Sequence, residues 1–441
     1  MLRHISLIGA LAVFVPLSAA TAQADVDSLV ARALAVHPAI RAAEARTEAT
    51  RRGAVSAGVL PDPMLMLGIQ NYPLGEEEGM RGRDPMTMRM VGVGQTLPYP
   101  GKLSLRRQVA ERELAAAQAA LLATRQQIAR DVKDAYYELA FLDRALEIVE
   151  RNRAVLANLI RLTEARYGVG SVSQQDVLKA RVEASRLAET AVSLTEQRRA
   201  ALARLNGLLD QPSEMPVAGP TVPADIARAA VADSTREIRF VSAALGARAA
   251  DSPLPPLAEL QELAIRENPE IREHEAAIAA QVARIELARK EYLPDFDLSV
   301  QYGQRPGRPD MLTALISIPI PLQKGRKQDQ LVAEAGAQLA QLEAQHLAMQ
   351  NEIRAEVAQL ASELERQRAQ LALYVKAVLP QSRASLASAT ASYQVGKVEF
   401  LSVLDDQATL FGYETDYFRV LSEFARTVAE LERVVGREIV R

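Results

Sequence analysis

The chain sets out one plan twice, and that duplication constrains the fold more than any other feature. Tyr167-Gly-Val-Gly-Ser-Val-Ser-Gln-Gln-Asp-Val-Leu178 returns as Tyr393-Gln-Val-Gly-Lys-Val-Glu-Phe-Leu-Ser-Val-Leu404, with six of twelve positions identical at an offset of 226. Earlier echoes keep the same order. Ala35-Val-His-Pro-Ala-Ile40 matches Arg266-Glu-Asn-Pro-Glu-Ile271, and Leu60-Pro-Asp-Pro63 matches Leu293-Pro-Asp-Phe296. Leu97-Pro98 followed by Gly101-Lys102 matches Ile320-Pro321 followed by Gly325-Arg326. A period of about 230 residues is far longer than a solenoid repeat, so each half is a complete structural module.

The first 24 residues read as a secretory signal. Arg3 and His4 precede an apolar stretch broken by Pro16, and Ala22-Gln-Ala24 is an A-x-A cleavage site. No later stretch approaches the ~20 apolar residues of a spanning helix. The chain has no cysteine, which excludes disulfides, thiolate metal sites and lipid attachment through an N-terminal Cys. The net charge is −3, with Lys and Arg dispersed among Asp and Glu, so no basic run points to nucleic acid. Tryptophan is absent and aromatics make up 4%, a composition that favours long helices.

Hydrophobic periodicity divides each half in the same way. A helix is expected over 26–58, then strands over about 62–72 and 86–97 flanking a polar loop, Pro73 to Pro85. Residues 103–166 are free of Pro and Gly, and Ile128, Val132, Ala135, Leu139, Leu142, Leu146 and Val149 step by fours and threes as a heptad seam. Such a helix would be ~95 Å long. Gly168 and Gly170 break it, and a return helix runs from Ser173 to Asn206 with Gly207 as its stop. Residues 208–256 hold seven prolines and form the connector. The second half repeats the order: a helix over 257–291, strands over 295–303 and 311–321, and a long helix over 326–394. The seam of that helix carries Leu339, Leu342, His346, Met349, Ile353, Val357, Leu360 and Leu364. Gly396 then breaks the chain, and a last helix runs over 398–436 before a short tail.

Four alternating strands of this length match the 9–11 residues that cross a bilayer when tilted. They cannot close a membrane barrel, because known barrels begin at about 8 strands, and lipid does not tolerate an open edge. If these strands span a membrane, several copies share one barrel. Three copies give twelve strands, continued by their long helices as a tube.

The two halves, the paired Tyr-x-Val-Gly-x-Val-x5-Val-Leu tips and the Pro98-Tyr-Pro-Gly-Lys102 entry to the long helix resemble the TolC-type outer-membrane efflux proteins over residues 26 to 436. The fold class this implies is mainly α with a small β part, in a homotrimer with a twelve-stranded outer-membrane β-barrel continued by a periplasmic α-helical barrel. The resemblance implies a passive exit duct working with a periplasmic adaptor protein and an inner-membrane RND-type pump. Its partners would thus be protein and outer-membrane lipid, not nucleic acid. Leu60-Pro-Asp-Pro-Met64, Pro85-Met-Thr-Met-Arg-Met-Val91 and Pro98-Tyr-Pro-Gly-Lys102 look most like the heavy-metal (Cus- and Czc-like) branch, whose cargo is metal cations. Other ducts of the same fold serve multidrug export or type I secretion, and a soluble periplasmic coiled-coil adaptor is the alternative outside that class.

Candidate sites follow from the tips. Gly168, Gly170 and Gly396 let a long helix reverse. By the resemblance, Tyr167, Val169, Gly170, Ser171, Tyr393, Val395, Gly396 and Lys397 would dock an adaptor. Asp405, Asp406 and Asp176 lie just past the tips, where a ring of carboxylates at a narrow tube end attracts cations. Asp405 and Asp176 fall on or near the family's aperture positions, although Ser402 is what aligns with Asp176. Ser173-x-x-Asp176 is also an ordinary capping box. Six of the ten methionines lie between 64 and 90. Thioethers suit monovalent copper, but the alternation places Thr87 and Arg89 toward a lumen and Met86, Met88 and Met90 toward lipid, so a packing role is expected. His37, His274 and His346 are far apart in sequence, and Glu76-Glu77-Glu78 falls in the loop. No catalytic motif, cofactor site or resident metal site is expected.

Overall fold

A computed structural model describes residues 25–72, 86–231 and 255–439. The expected signal segment, the expected loop with Glu76–Glu78 and part of the connector lie outside the described residues. Each half consists of a helix pair, two strands, a very long helix, a tip and a return helix. The first half comprises α1 (Val26–Val36), α2 (Pro38–Ala57), β1 (Met64–Gln70), β2 (Met88–Leu97), α3 (Lys102–Gly168) and α4 (Gln174–Leu208). The connector contributes α5 (Ala224–Val231). The second half comprises α6 (Leu257–Glu267), α7 (Pro269–Lys290), β3 (Phe296–Gln304), β4 (Met311–Ser317), α8 (Gln328–Leu373), α9 (Leu379–Gln394) and α10 (Phe400–Val435).

Where one entry helix is expected in each half, there are two. Pro38 and Pro269 push the preceding residue out of the α region. His37 and Asn268 sit at ψ 128° and 125° and become N-caps for α2 and α7. The Asn268 Oδ1 accepts from the Glu270 and Ile271 N–H groups at 2.7 and 3.3 Å, and proline takes the first helical position, where no N–H is needed. α4 runs through Gly207 to Leu208. The left-handed residue that ends it is Asp210 (φ +53°), and Gln211 N donates to Asn206 O at 2.9 Å. The second long helix is interrupted by one π turn, Tyr374–Val378. Pro380 follows immediately, and a residue without an N–H and with a bulky ring requires such a widening.

The first heptad seam is buried as expected, apart from half-buried Leu146, and packs on Leu194, Ala201, Leu202 and Leu205 of α4. The second packs Ile353, Val357 and Leu364 on Val420, Phe424, Val428 and Leu431 of α10. The halves are joined along α3 and α10 by an antiparallel series of polar pairs: Arg130–Glu430, Lys133–Glu432 (2.7 Å), Asp134–Arg426 (2.5 Å), Ser422 Oγ to Tyr137 O (2.7 Å), Arg151–Glu414 and Gln407–Asn152. Asp134, Asn152, Glu414, Gln407 and Ser422 of this series are buried, so each pair has to stay matched, because a lone buried partner would be left unsatisfied. Their order fixes the register between the halves.

The strands form one antiparallel sheet, β1-β2-β3-β4, leaving β1 and β4 as edges. The two hairpins superimpose rung for rung under the duplication. Met64↔Gly94 in the first corresponds to Asp297↔Ser317 in the second. One face carries Leu65, Leu67, Ile69, Val91, Val93, Leu298, Val300, Tyr302 and Ile316. The other carries Gln70, Thr96, Asp297, Ser299, Gln301 and Thr313. The register corrects the expected facing of the methionines. Arg89 pairs with Ile69 and Gln304 and so shares the apolar face with Val91, while Met88 and Met90 stand on the polar face. Residues opposite each other in a ladder share a face, and alternation within β2 alone does not say which of its faces meets the apolar side of β1 and β3. Arg89 lies at the hairpin end of its strand, where a long side chain reaches beyond an apolar band.

The sheet meets the helices at a buried cation. Gly101 (φ +93°) turns the chain into α3 and buries Lys102 to 2% exposure. Its Nζ lies 2.9 Å from Asp295 Oδ1 and 3.5 Å from Glu291 Oε2. Asp295 also accepts from Tyr99 N at 2.8 Å. Burial alone would raise the Asp295 pKa, but the hydrogen bonds from Lys102 and Tyr99 hold it below the usual carboxylate value.

Candidate functional site

The two tips are built alike. At the first, Gly170 N donates to Tyr167 O (2.9 Å) and Ser171 N to Arg166 O (2.9 Å). At the second, Gly396 N donates to Tyr393 O (3.0 Å) and Lys397 N to Ser392 O (2.9 Å). This is the Schellman closure of a helix, with the αL position filled by Gly170 (φ +73°) and Gly396 (φ +74°). A side chain at either glycine would be strained by that φ alone.

The tips differ in what they expose. Tyr167, Val169, Gly170, Ser171, Val395, Gly396 and Lys397 lie on the surface. Tyr393 does not. It is 2% exposed, its ring lies 5.6 Å from that of Phe400, and the Arg166 guanidinium covers it at 4.6 Å. The duplication makes the two tyrosines equivalent candidates for docking, and their burial separates them. The structure buries Tyr393 because Arg166 has no counterpart in the second tip, where Ser392 stands. Arg166 also donates to Tyr393 O at 2.8 Å and Gln394 O at 2.6 Å, capping the C-terminus of α9 from the other repeat. No motif announced this role. The absence of an arginine at the equivalent position was the only available signal.

The three acids have different circumstances. Asp176 closes a capping box: its Oδ2 accepts from Ser173 N (3.1 Å) and Ser173 Oγ (2.9 Å), while Asp176 N donates back to Ser173 Oγ (3.3 Å). Asp406 is half-buried and accepts from Ser385 Oγ at 2.9 Å. Asp405 is exposed, with no ion pair or hydrogen bond to a described residue. Among the described residues no group of three or more His, Cys, Asp or Glu side chains is arranged to hold a metal, so the three acids do not form one chelating site. Distant in sequence, His274 and His346 face each other across α7 and α8 with rings 6.3 Å apart.

No described helix is long and apolar enough to cross a membrane. A strand-and-helix stave with one apolar sheet face and two unpaired edges is the building unit of a closed tube, and the class it defines is that of channel-forming staves. The outer membrane efflux protein family model matches residues 29–211 and again 260–437, so the chain belongs to the outer membrane efflux protein family. It is similar to the cobalt-zinc-cadmium resistance protein CzcC of Cupriavidus metallidurans, with 23% identity over 402 residues, covering 90% of this chain and 86% of that protein. Its fold is similar to that of the outer membrane protein VceC of Vibrio cholerae (TM-score 0.75, 19% identity, 94% of this chain and 96% of that one). It is also similar to CusC (TM-score 0.73, 19% identity, 93% of this chain and 92% of that one).

Proposed function

We propose that this protein is the outer-membrane exit duct of a tripartite efflux system. Three copies would share one barrel and pass metal cations delivered by a periplasmic adaptor and an inner-membrane RND-type pump. The observation that carries this reading is the duplicated stave with both sheet edges open. The metal cargo rests on the likeness to the cobalt-zinc-cadmium resistance protein. A strain lacking the protein should become sensitive to some of cobalt, zinc, cadmium, copper and silver and stay tolerant of dyes and bile salts. Sensitivity to the organic compounds alone would shift the reading to multidrug export.

The duplication also supplies the seam between copies. If β4 meets β1 of the next copy as β2 meets β3 within the chain, Ile316 pairs with Leu67 of that copy and Ala314 with its Ile69. That seam would set the exposed Lys324, Arg326 and Lys327 near the exposed Asp62 of the next copy, as Lys102 stands beside Asp295. The chain has no native cysteine to confuse a cross-linking test. Oxidation of an Ile316→Cys/Leu67→Cys variant should give covalent dimers and trimers, because directly opposed Cα atoms lie ~4.5–5.5 Å apart. The shifted pair Ile316→Cys/Ile69→Cys should link far less. Stronger linkage of the shifted pair would contradict the register.

Asp405 is the acid best placed to act as an aperture group, since its carboxylate is free to face passing ions. Three copies would make a ring of three. Asp405→Asn should lower cation-over-anion permeability about threefold or more, read as a shift in reversal potential across planar bilayers. An unchanged reversal potential would remove Asp405 from the aperture.

A further inference from the structure

The polar face of the sheet also carries an unbroken series of thioethers. Counting rungs from the helix end, Met64 stands opposite Gly94, and Met66 opposite Gly92 on the next rung. Met90 stands between Gly68 and Gly303 on the third, with Met311 beyond Gly303, and Met88 stands opposite Gln70 on the fourth. Four successive rungs therefore each hold a methionine, about 7 Å from the next along the strands. The lipid-type face is already supplied by leucine, isoleucine and valine, so burial against lipid does not account for methionine on the wet face.

Two of the glycines on these rungs, Gly94 and Gly303, make room for a thioether. A Cβ on Gly94 would approach Met66 Cε to 3.3 Å, and one on Gly303 would meet Met88 Sδ at 2.5 Å. Glycine at these positions lets the thioether lie flat along the wall, leaving the bore open. The Gln301 amide adds a polar contact, with Nε2 at 3.7 Å from Met66 Sδ. Neutral thioether sulfur prefers soft monovalent d10 ions to zinc or cobalt, which favour nitrogen, oxygen or thiolate ligands. Long, flexible side chains one rung apart can pass such an ion between them.

We propose that Met64, Met66, Met90, Met88 and Met311 form a track that binds soft monovalent cations, copper(I) and silver(I), loosely and in sequence along the lumen. The proposal rests on the duct reading and adds to it a wall site for soft monovalent ions, separate from any passage of zinc or cobalt. Silver(I), which needs no reductant, is the probe. Full-length protein purified in detergent is dialysed against silver nitrate in chloride-free buffer, beside a Met64→Leu/Met66→Leu/Met90→Leu variant and a Met215→Leu/Met349→Leu control. The wild type and control are expected to retain silver in a sulfur shell by X-ray absorption. The triple variant should lose about tenfold or more in apparent affinity, and zinc uptake should be the same in all three. Silver retained equally by the triple variant, or by none of the proteins, overturns the track. Single-channel recording of each preparation separates the two readings. Conductance without methionine-dependent silver binding ends the track and leaves the duct, whereas absence of conductance in the wild type ends both.

Discussion

Asp295→Ala is expected to destabilise the protein by about 3–5 kcal/mol, because it leaves the ammonium of Lys102 buried with its best partner gone. The site offers little relief. Lys102 is 2% exposed, and among the described residues Glu291, at 3.5 Å, is the only other carboxylate paired with it. A Lys102→Met/Asp295→Leu double variant should recover most of the loss, since removing both charges removes the desolvation cost along with the attraction. Thermal melting of the detergent-purified protein measures both. The pH dependence has a definite sign. The folded-state pKa of Asp295 is depressed, so its contribution is full above the unfolded carboxylate value of about 3.9 and is lost as pH falls through the folded value. The wild type should therefore lose stability on acidification more steeply than the double variant. A single variant as stable as wild type would show that water reaches Lys102.

Arg166→Ala should act on one end of the molecule. It removes two hydrogen bonds from a charged donor to the Tyr393 and Gln394 carbonyls and uncovers the Tyr393 ring. Hydrogen bonds to charged groups are worth about 1.5–3 kcal/mol, and partial exposure puts the pair near the lower end of that range. A loss of about 2 kcal/mol is roughly a thirtyfold increase in local opening. Amide hydrogen exchange should accelerate by about that factor over residues 392–400, with little change along α3 at 128–149, where the seam is buried independently of the tip. Arg166→Lys should restore only part of the protection, because an ammonium cannot span two carbonyls and stack on a ring at once. Uniform acceleration along the chain would mean that the residue supports the whole fold and not the tip.

Much of this architecture was legible because the strongest patterns are long. A heptad seam of seven positions and a duplicated twelve-residue tip admit few alternatives, and both long helices and all four strands lie close to the expected segments, although β1 and β4 are seven residues each, shorter than the 62–72 and 311–321 that alternation gives. What escaped was decided by single residues or by tertiary register. His37 and Asn268 split their helices because of the proline that follows each. Pro380 introduced a π turn into a helix that periodicity alone read as continuous. The facing of Met88 and Met90 depended on which strand lies opposite, information that alternation within β2 does not contain. Tyr393 and Tyr167 look equivalent in sequence and differ in burial because Arg166 has no counterpart at Ser392. The His274–His346 approach and the polar series between α3 and α10 arise from packing of distant segments and leave no local trace.

The measurement that bears most directly on the account is single-channel recording of the mature protein extracted from the outer membrane and inserted into planar bilayers. Stepwise, cation-selective conductance from a species containing three copies is the expected result. A monomer that partitions into the soluble periplasmic fraction and gives no conductance would contradict it.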